Sequence, residues 1–117
     1  MEQNDLSKRL FTFSVRTIKF LRTLPYVTEY KVIRYQLIKS ATSAGANYEE
    51  AQAASSKADF HNKVKIALKE MMESRYWLKI IQGIIDTEVS DEFNFLISES
   101  DELNKILGAI ALKTKKN

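Results

Sequence analysis

The sequence predicts an all-α protein, an antiparallel up-down-up-down bundle of four helices. Apolar residues recur at spacings of three and four in every segment, which is the helical period, and no stretch alternates over the length of a strand. The 117 residues contain three glycines and one proline, so the chain has few natural breaks and its elements must be long. A chain of this length is expected to form a single domain around one core.

The first helix is predicted over residues 6–24. Its apolar stripe starts at Leu6, and Asp5 is the expected N-cap because a short acidic side chain accepts hydrogen bonds from the first turn. Pro25 disfavours helical backbone at Leu24, so the helix is expected to end there.

The second helix is predicted over residues 28–54, with Thr28 as its N-cap. From Ser40 onward its apolar stripe is made of small residues, which predicts a close crossing with another helix. Gly45 within this stretch costs about 1 kcal/mol relative to alanine in a helix interior.

The third helix is predicted over residues 57–86 and the fourth over residues 91–113. Ser56 followed by Asp59 is close to a capping box, while Asp91 and Glu92 after Ser90 suit the positive end of a helix dipole. The third helix, at roughly 30 residues, should reach about 45 Å, so the bundle should be elongated. Short connections between long helices make sequential neighbours antiparallel.

A second set of apolar residues lies off the main stripes of the first and third helices. Monomers rarely expose large contiguous apolar patches, so this surplus predicts self-association. The residues are Phe11, Val15, Ile18, Ile66, Trp77, Ile80 and Ile84.

The charge of the chain is unevenly distributed along its length. Residues 1–40 carry eight Lys or Arg against three acids, whereas residues 86–112 carry seven acids against Lys105 alone. Basic residues on the first helix could neutralise phosphates, and Tyr26, Tyr30 and Tyr35 follow closely for stacking on bases. A charged stripe on an amphipathic helix is also the ordinary solvated face, so both interpretations stay open at this point.

The sequence predicts no enzymatic activity, no metal and no cofactor. It has no cysteine, and His61 is its single histidine, so neither a zinc site nor a nucleophile–base pair can be built from it. His61 is expected to face solvent. The chain shows no secretory signal, and its apolar runs fall short of the roughly 20 residues that span a bilayer, so a cytoplasmic location without membrane contact is expected.

Polar residues recur within the apolar stripes of the second and third helices. The favoured interpretation is an interhelical hydrogen-bond network that includes Lys39 or Arg16 and sets the helix register, because a buried carboxylate must be paired. The alternative is a small ligand or metal pocket. The residues are Gln36, Ser43, Asn47, Glu50, Glu70 and Glu73.

Several segments resemble the bacterial four-helix bundle proteins, also called ribosomal-RNA intervening-sequence proteins. The resemblance spans residues 5–85 and is carried by RLFTFSVR at 9–16, LP at 24–25, QLIKSATS at 36–43, ANYEEA at 46–51, DF at 59–60, ALKE at 67–70, Glu73 and YWL at 76–78. It implies a ring, typically a homopentamer, without established catalysis. Related accessory proteins of retroelements are similar basic pentamers that engage nucleic acid and a reverse transcriptase, which implies a basic contact surface at Arg9, Arg16 and Lys39.

The resulting hypothesis is a non-enzymatic homo-oligomer that binds RNA or a ribonucleoprotein, including a nucleic-acid-processing protein. The competing hypothesis is a protein-interaction scaffold without nucleic-acid contact, in which the acidic fourth helix docks a basic partner. The residues predicted to contact nucleic acid are Lys8, Arg9, Arg16, Lys19, Arg22 and Lys39.

Overall fold

The computed structural model describes residues 3–115. Within that range the chain forms four helices and no strand, as predicted: α1 (Gln3–Leu21), α2 (Thr28–Gln52), α3 (Lys57–Ile84) and α4 (Asp91–Thr114). No predicted helix end differs from the observed one by more than three residues.

The cap predicted at Ser56 is confirmed, and Ser90, at the predicted start of the fourth helix, is the N-cap of α4. The Ser56 hydroxyl accepts a hydrogen bond from the backbone N–H of Asp59 at 3.0 Å, and the Ser90 hydroxyl accepts one from Phe93 at 3.1 Å. The Asp59 carboxylate in turn accepts from the N–H of Ser55, one residue before the cap, at 3.2 Å.

The other two predicted caps are wrong. Asp5 lies inside the first turn of α1, where its negative charge suits the helix dipole, because the helix already begins at Gln3. At α2 the cap position is Val27, whose backbone is extended and whose side chain makes no capping bond, while Thr28 is the first helical residue.

Helix α1 ends three residues before the predicted position. The N–H of Thr23 bonds the carbonyl of Phe20 at 2.9 Å and that of Leu24 bonds Leu21 at 3.3 Å, so the chain tightens into a turn ahead of Pro25. Proline disfavours helical backbone at the preceding residue, and Leu24 lies in this turn and not in the helix.

The four helices form an antiparallel bundle in which each one packs against two neighbours. Helix α2 lies between α1 and α3, and α4 lies between α3 and α1, while over the described residues the diagonal pairs do not approach closely. The bundle measures 46 × 24 × 23 Å, which confirms the predicted elongation.

The core runs the length of the bundle and is formed by the apolar stripes that were predicted for the four helices. Its largest members are Tyr48, Phe13 and Phe93, and the rings of Phe93 and Phe20 lie 5.0 Å apart. The close crossing predicted from the small residues of α2 is confirmed: the buried hydroxyls of Ser40 and Ser74 lie 2.7 Å apart across the contact between α2 and α3.

Candidate nucleic-acid interface

Two arginines of the predicted basic cluster hold α1 against α4. Arg9 donates through Nε and Nη2 to the carboxylate of Glu99 at 3.0 and 2.7 Å, and Arg16 donates through Nε to Glu92 at 2.9 Å in a second bidentate pair. The guanidinium of Arg16 also stacks on the ring of Phe95, 3.6 Å from its centroid. Both arginines are therefore engaged within the bundle.

The ion pairs shift the pKa values of Glu92 and Arg9 in the directions expected for paired charges. The hydrogen bond from Arg16 lowers the pKa of the Glu92 carboxyl, and the hydrogen bond to Glu99 raises the pKa of Arg9. Each of these two shifts favours the charged form of its group. Two of the acids that give the fourth helix its negative charge are thus neutralised by the first helix.

The other cations of the predicted cluster are open to solvent. Lys8, Lys19, Arg22 and Lys39 are exposed and form no ion pair with the described residues. Lys8 stands apart, since it precedes Lys19 by three turns of α1, which is roughly 16 Å at the helical rise.

The other three open cations lie on the half of the bundle where α1 ends and α2 begins, and this half also carries side chains that can stack. Tyr26 is 85% exposed and Tyr35 is 66% exposed, and Lys31 is exposed beside them on α2. Tyr30, also predicted to stack, is buried in the core, which raises the pKa of its hydroxyl and excludes it from surface contacts. We call the following set the basic end surface: Lys19, Arg22, Tyr26, Lys31, Tyr35 and Lys39.

Arg34 organises this surface, and sequence reasoning missed it. Its guanidinium donates to the carbonyl of Leu21 at 3.0 and 3.1 Å and to that of Leu24 at 3.0 Å, so it binds carbonyls at the C-terminal end of α1 and in the turn that follows. It also lies over the ring of Tyr26 at 4.8 Å. The available signal was a basic residue in the second turn of α2, since cations interact favourably with the negative C-terminal end of a neighbouring helix.

The predicted interhelical polar network is wrong, because three of its six members bond within their own helix and only one bonds to another helix. Asn47 donates to the carbonyl of Ser43 at 2.9 Å, and the Trp77 indole N–H donates to Glu73 at 3.0 Å. These are contacts between residues four apart, which a helix brings together whatever it packs against.

One member of the predicted network does reach a neighbouring helix. Glu50 accepts a hydrogen bond from Lys63 of α3 at 2.7 Å, which raises the pKa of that lysine. For Gln36 and the Glu70 side chain the described residues provide no hydrogen bond, and neither Lys39 nor Arg16 joins this set. The hydroxyl pair of Ser40 and Ser74 is the contact that fixes α2 against α3 in the core.

The expectation that His61 faces solvent is also wrong. The imidazole Nδ1 lies 2.8 Å from the hydroxyl of Thr114, whose own proton goes to the carbonyl of Ile110 at the end of α4. His61 is partly buried and ties the start of α3 to the last turn of α4. Across the described part of the chain, no group of three or more His, Asp or Glu side chains could hold a metal ion, and no helix has an apolar stretch sufficient to cross a membrane.

Part of the second apolar stripe lines a groove between α1 and α2. The groove encloses about 390 Å³ and is formed by Phe11, Val15 and Ile18 of α1 over Gly45 and Ala46 of α2. Phe11 is 70% exposed at its rim. The small residues of α2 leave this space open, since they provide no side chain to fill it.

The fold and the basic end surface define the protein as an elongated antiparallel four-helix bundle. Comparison with known proteins gives its family. The chain matches the model of the 23S rRNA-intervening sequence protein over residues 2–109 and belongs to that family, as the resemblance predicted. It is 36% identical to a protein of unknown function from the S23 ribosomal protein family of Bacteroides thetaiotaomicron, known from a crystal structure. The two align with a TM-score of 0.81 over 95% of this chain and 98% of the other. No curated protein matches it.

Proposed function

We propose that this protein is a non-enzymatic binding module for structured RNA and that the basic end surface makes the contact. The observation that carries the proposal is the separation of cations into two classes. Arg9 and Arg16 are neutralised by α4, whereas Lys19, Arg22 and Lys39 are exposed without an ion-pair partner among the described residues. A cation without a partner releases counterions from the phosphate backbone when it binds. A cation in an ion pair must first give up its carboxylate partner.

The exposed aromatic residues support RNA in particular as the ligand. Tyr35 follows Lys31 by one turn of α2, so a base unstacked from a loop could rest on the exposed ring while the adjacent phosphate meets the lysine, and Tyr26 offers a second exposed ring in the turn before α2. Arg34 is hydrogen-bonded to the carbonyl of Leu24 and lies over the ring of Tyr26, so its role in this surface is to position that ring. The family name adds an association with ribosomal RNA genes.

A filter-binding titration of a labelled stem-loop RNA over a series of salt concentrations tests the proposal. The triple variant Lys19→Ala/Arg22→Ala/Lys31→Ala should bind more weakly, and the slope of log K against log salt should fall by about 0.7–0.9 for each phosphate contact removed. The matched control is Lys65→Ala/Lys69→Ala/Lys79→Ala, which removes the same charge from exposed positions of α3. Absence of binding at low salt, or equal losses in the two triple variants, would overturn the proposal.

We also propose that the protein acts as a homo-oligomer, for which the resemblance implies a pentamer. Apolar side chains that a monomer would leave in water support this: Phe11 is 70% exposed and Ile66 is 41% exposed. Light scattering of the wild-type protein tests it directly, and a mass of one chain would end the proposal.

The competing hypothesis, a scaffold whose acidic fourth helix docks a basic protein, finds less support in the contacts. Glu92, Glu99 and Asp101 of α4 are each paired with an arginine of α1 or α3. A basic partner would have to displace those arginines to reach these three acids, which leaves Asp91 and Glu102 as the exposed acids of α4 without an ion pair among the described residues. Salt-insensitive co-purification of a protein without nucleic-acid absorbance would favour the scaffold over the RNA-binding module.

A further inference from the structure

A pocket opens at the end of the bundle that carries the basic end surface. The turn between α1 and α2 and the loop between α3 and α4 meet there, because successive helices run in opposite directions. The pocket has a volume of about 450 Å³, which lies within the range of roughly 300–1,000 Å³ for small-molecule sites. Its apolar walls are formed by Phe20, Leu24, Pro25 and Ile85, and we call it the end pocket.

The polar lining of the end pocket is of two kinds, bonded and unbonded. The Thr23 hydroxyl donates to the carbonyl of Phe20 at 2.6 Å, and the Ser90 hydroxyl caps α4. The remaining polar side chains of the lining form no hydrogen bond or ion pair with the described residues, so they are available to a ligand. They are Tyr30, Asp86, Thr87 and Glu88.

The buried side chain of Tyr30 is the observation that points to a ligand. Tyr30 is only 7% exposed, yet its hydroxyl has no partner among the described residues, although polar groups buried to this extent are normally hydrogen-bonded. Unlike the enclosed hydroxyl of Tyr48, that of Tyr30 keeps an opening to solvent, so it faces the pocket. Burial, and then the negative charges of Asp86 and Glu29, raise the pKa of this hydroxyl, so it keeps its proton near neutral pH and can donate it.

The end pocket borders the basic end surface along the turn that follows α1. Residues 23–25 line the pocket, whereas Arg22 and Tyr26 on either side of them belong to the basic end surface. The bases of an RNA whose phosphates meet those cations therefore come close to the pocket. Phosphate itself is disfavoured inside, because the pocket carries two carboxylates and no cation.

The unbonded groups of the pocket match the base-pairing edge of guanine. That edge presents one acceptor, O6, followed by two donors, N1–H and the N2 amino group. Adenine and cytosine each present a single amino donor beside an acceptor nitrogen, and uracil presents a single N–H between two carbonyl oxygens. A carboxylate accepts two parallel hydrogen bonds, so guanine is the base that can satisfy a carboxylate and a donating hydroxyl together.

Other small occupants fit these groups less completely. A divalent metal would lack a third carboxylate or a histidine beside Asp86 and Glu88, since no such group of three occurs across the described residues. A free amine would pair with the carboxylates but offers no acceptor to the Tyr30 hydroxyl.

We infer that the end pocket receives an unpaired guanine of the bound RNA. Asp86 accepts hydrogen bonds from N1–H and the N2 amino group of the base, and Tyr30 donates one to O6. The apolar walls contact the base, as is usual for unstacked bases held by proteins. This inference rests on the proposed RNA binding and deepens it by naming the base that is read.

Filter binding of three stem-loop RNAs that differ in one loop nucleotide tests the inference. The nucleotide is guanosine, inosine or adenosine in an otherwise uridine loop, and inosine is guanosine without the N2 amino group. The guanosine loop should bind about 5- to 150-fold more tightly than the adenosine loop, which is the discrimination that a good bidentate base contact provides. The inosine loop should fall between them, because it keeps O6 and N1–H.

Two substitutions in the pocket should change the ratio of the affinities for the guanosine and adenosine loops. Asp86→Asn should bring this ratio close to one, because an amide offers only one acceptor oxygen and turns a donor toward the donors of guanine. Tyr30→Phe keeps the buried ring and should lower the ratio by weakening the guanosine loop alone. The matched control is Asp91→Asn, which removes the same charge from an exposed position outside the pocket and should keep the wild-type ratio.

The outcomes separate this inference from the proposed function. If none of the three RNAs binds at low salt, RNA binding and the inference both fail. Equal binding of all three RNAs, or a guanosine preference that persists in Asp86→Asn, would leave RNA binding standing and overturn the assignment of the end pocket. Equal affinity for the guanosine and inosine loops would overturn the pairing of Asp86 with the N2 amino group.

Discussion

Breaking the pair of Arg9 and Glu99 should loosen the attachment of α1 to α4 by a measurable amount. The two hydrogen bonds are parallel and short, at 3.0 and 2.7 Å, and the side chains are 29% and 13% exposed. Fully exposed ion pairs contribute about 0.2–1 kcal/mol, whereas breaking a buried one costs about 3–5 kcal/mol. A bidentate pair of intermediate exposure should therefore show a coupling free energy of about 1–1.5 kcal/mol.

A double-mutant cycle isolates this coupling from the other contacts of each side chain. Arg9→Ala, Glu99→Ala and the double variant are unfolded with urea at one protein concentration, and the coupling is the difference between the double loss and the sum of the single losses. The cycle is repeated at about 1 M salt, where the screening length falls to about 3 Å and an exposed pair is weakened more than a partly buried one.

The pair of Glu50 and Lys63 provides the reference for that measurement. It joins α2 to α3 through a single hydrogen bond at 2.7 Å, and its side chains are 58% and 31% exposed, so its coupling should be smaller and more sensitive to salt. A coupling for Arg9 and Glu99 no larger than that of the reference pair would refute the argument that these residues hold α1 against α4.

Three further outcomes follow from the local geometry. Gly45→Ala should stabilise the protein by about 0.5–1 kcal/mol in urea unfolding, because the added Cβ meets the Leu10 Cβ at an ordinary 3.7 Å, and destabilisation would contradict this. Ser90→Ala should cost about 1 kcal/mol in the same measurement through loss of the α4 cap, and an unchanged midpoint would count against the cap. The pKa of Glu92 is lowered by the hydrogen bond from Arg16, so the stabilising contribution of this pair is complete above the unfolded pKa of about 4.5 and is lost as the pH falls through the lower folded pKa. Glu92→Gln should therefore reduce the fall of the urea midpoint with decreasing pH. If the midpoint of the variant falls with acid as steeply as that of the wild type, the pair does not contribute to the acid dependence of stability.

The helices were predictable because their signals are local. The period of the apolar residues, the proline after Leu24 and the serines at positions 56 and 90 act within one or two turns, and each places a helix end to within three residues. The failures at Asp5 and Thr28 are of the same local kind, since a cap differs from a first-turn residue only in backbone angles that neighbouring side chains do not determine.

The candidate site was predictable only in part. From the sequence, Arg9, Arg16 and Lys19 appear equivalent. A helical projection gives only the direction of each side chain around its own helix and contains no information about the residues of the neighbouring helix. In the bundle α4 supplies Glu99 and Glu92 to the first two, from positions 90 and 76 residues away along the chain. Lys19 receives no such partner among the described residues and stays exposed.

Sequence alone determined that this protein is four long antiparallel helices with apolar seams, since hydrogen bonding and periodicity within each helix require no knowledge of its neighbours. Tertiary structure alone decided which charges are free and which are paired, and which apolar residues are left outside the core. Those outcomes depend on the rotation and height of one helix against another, and these are set by packing across the bundle, as in the hydroxyl contact of Ser40 with Ser74.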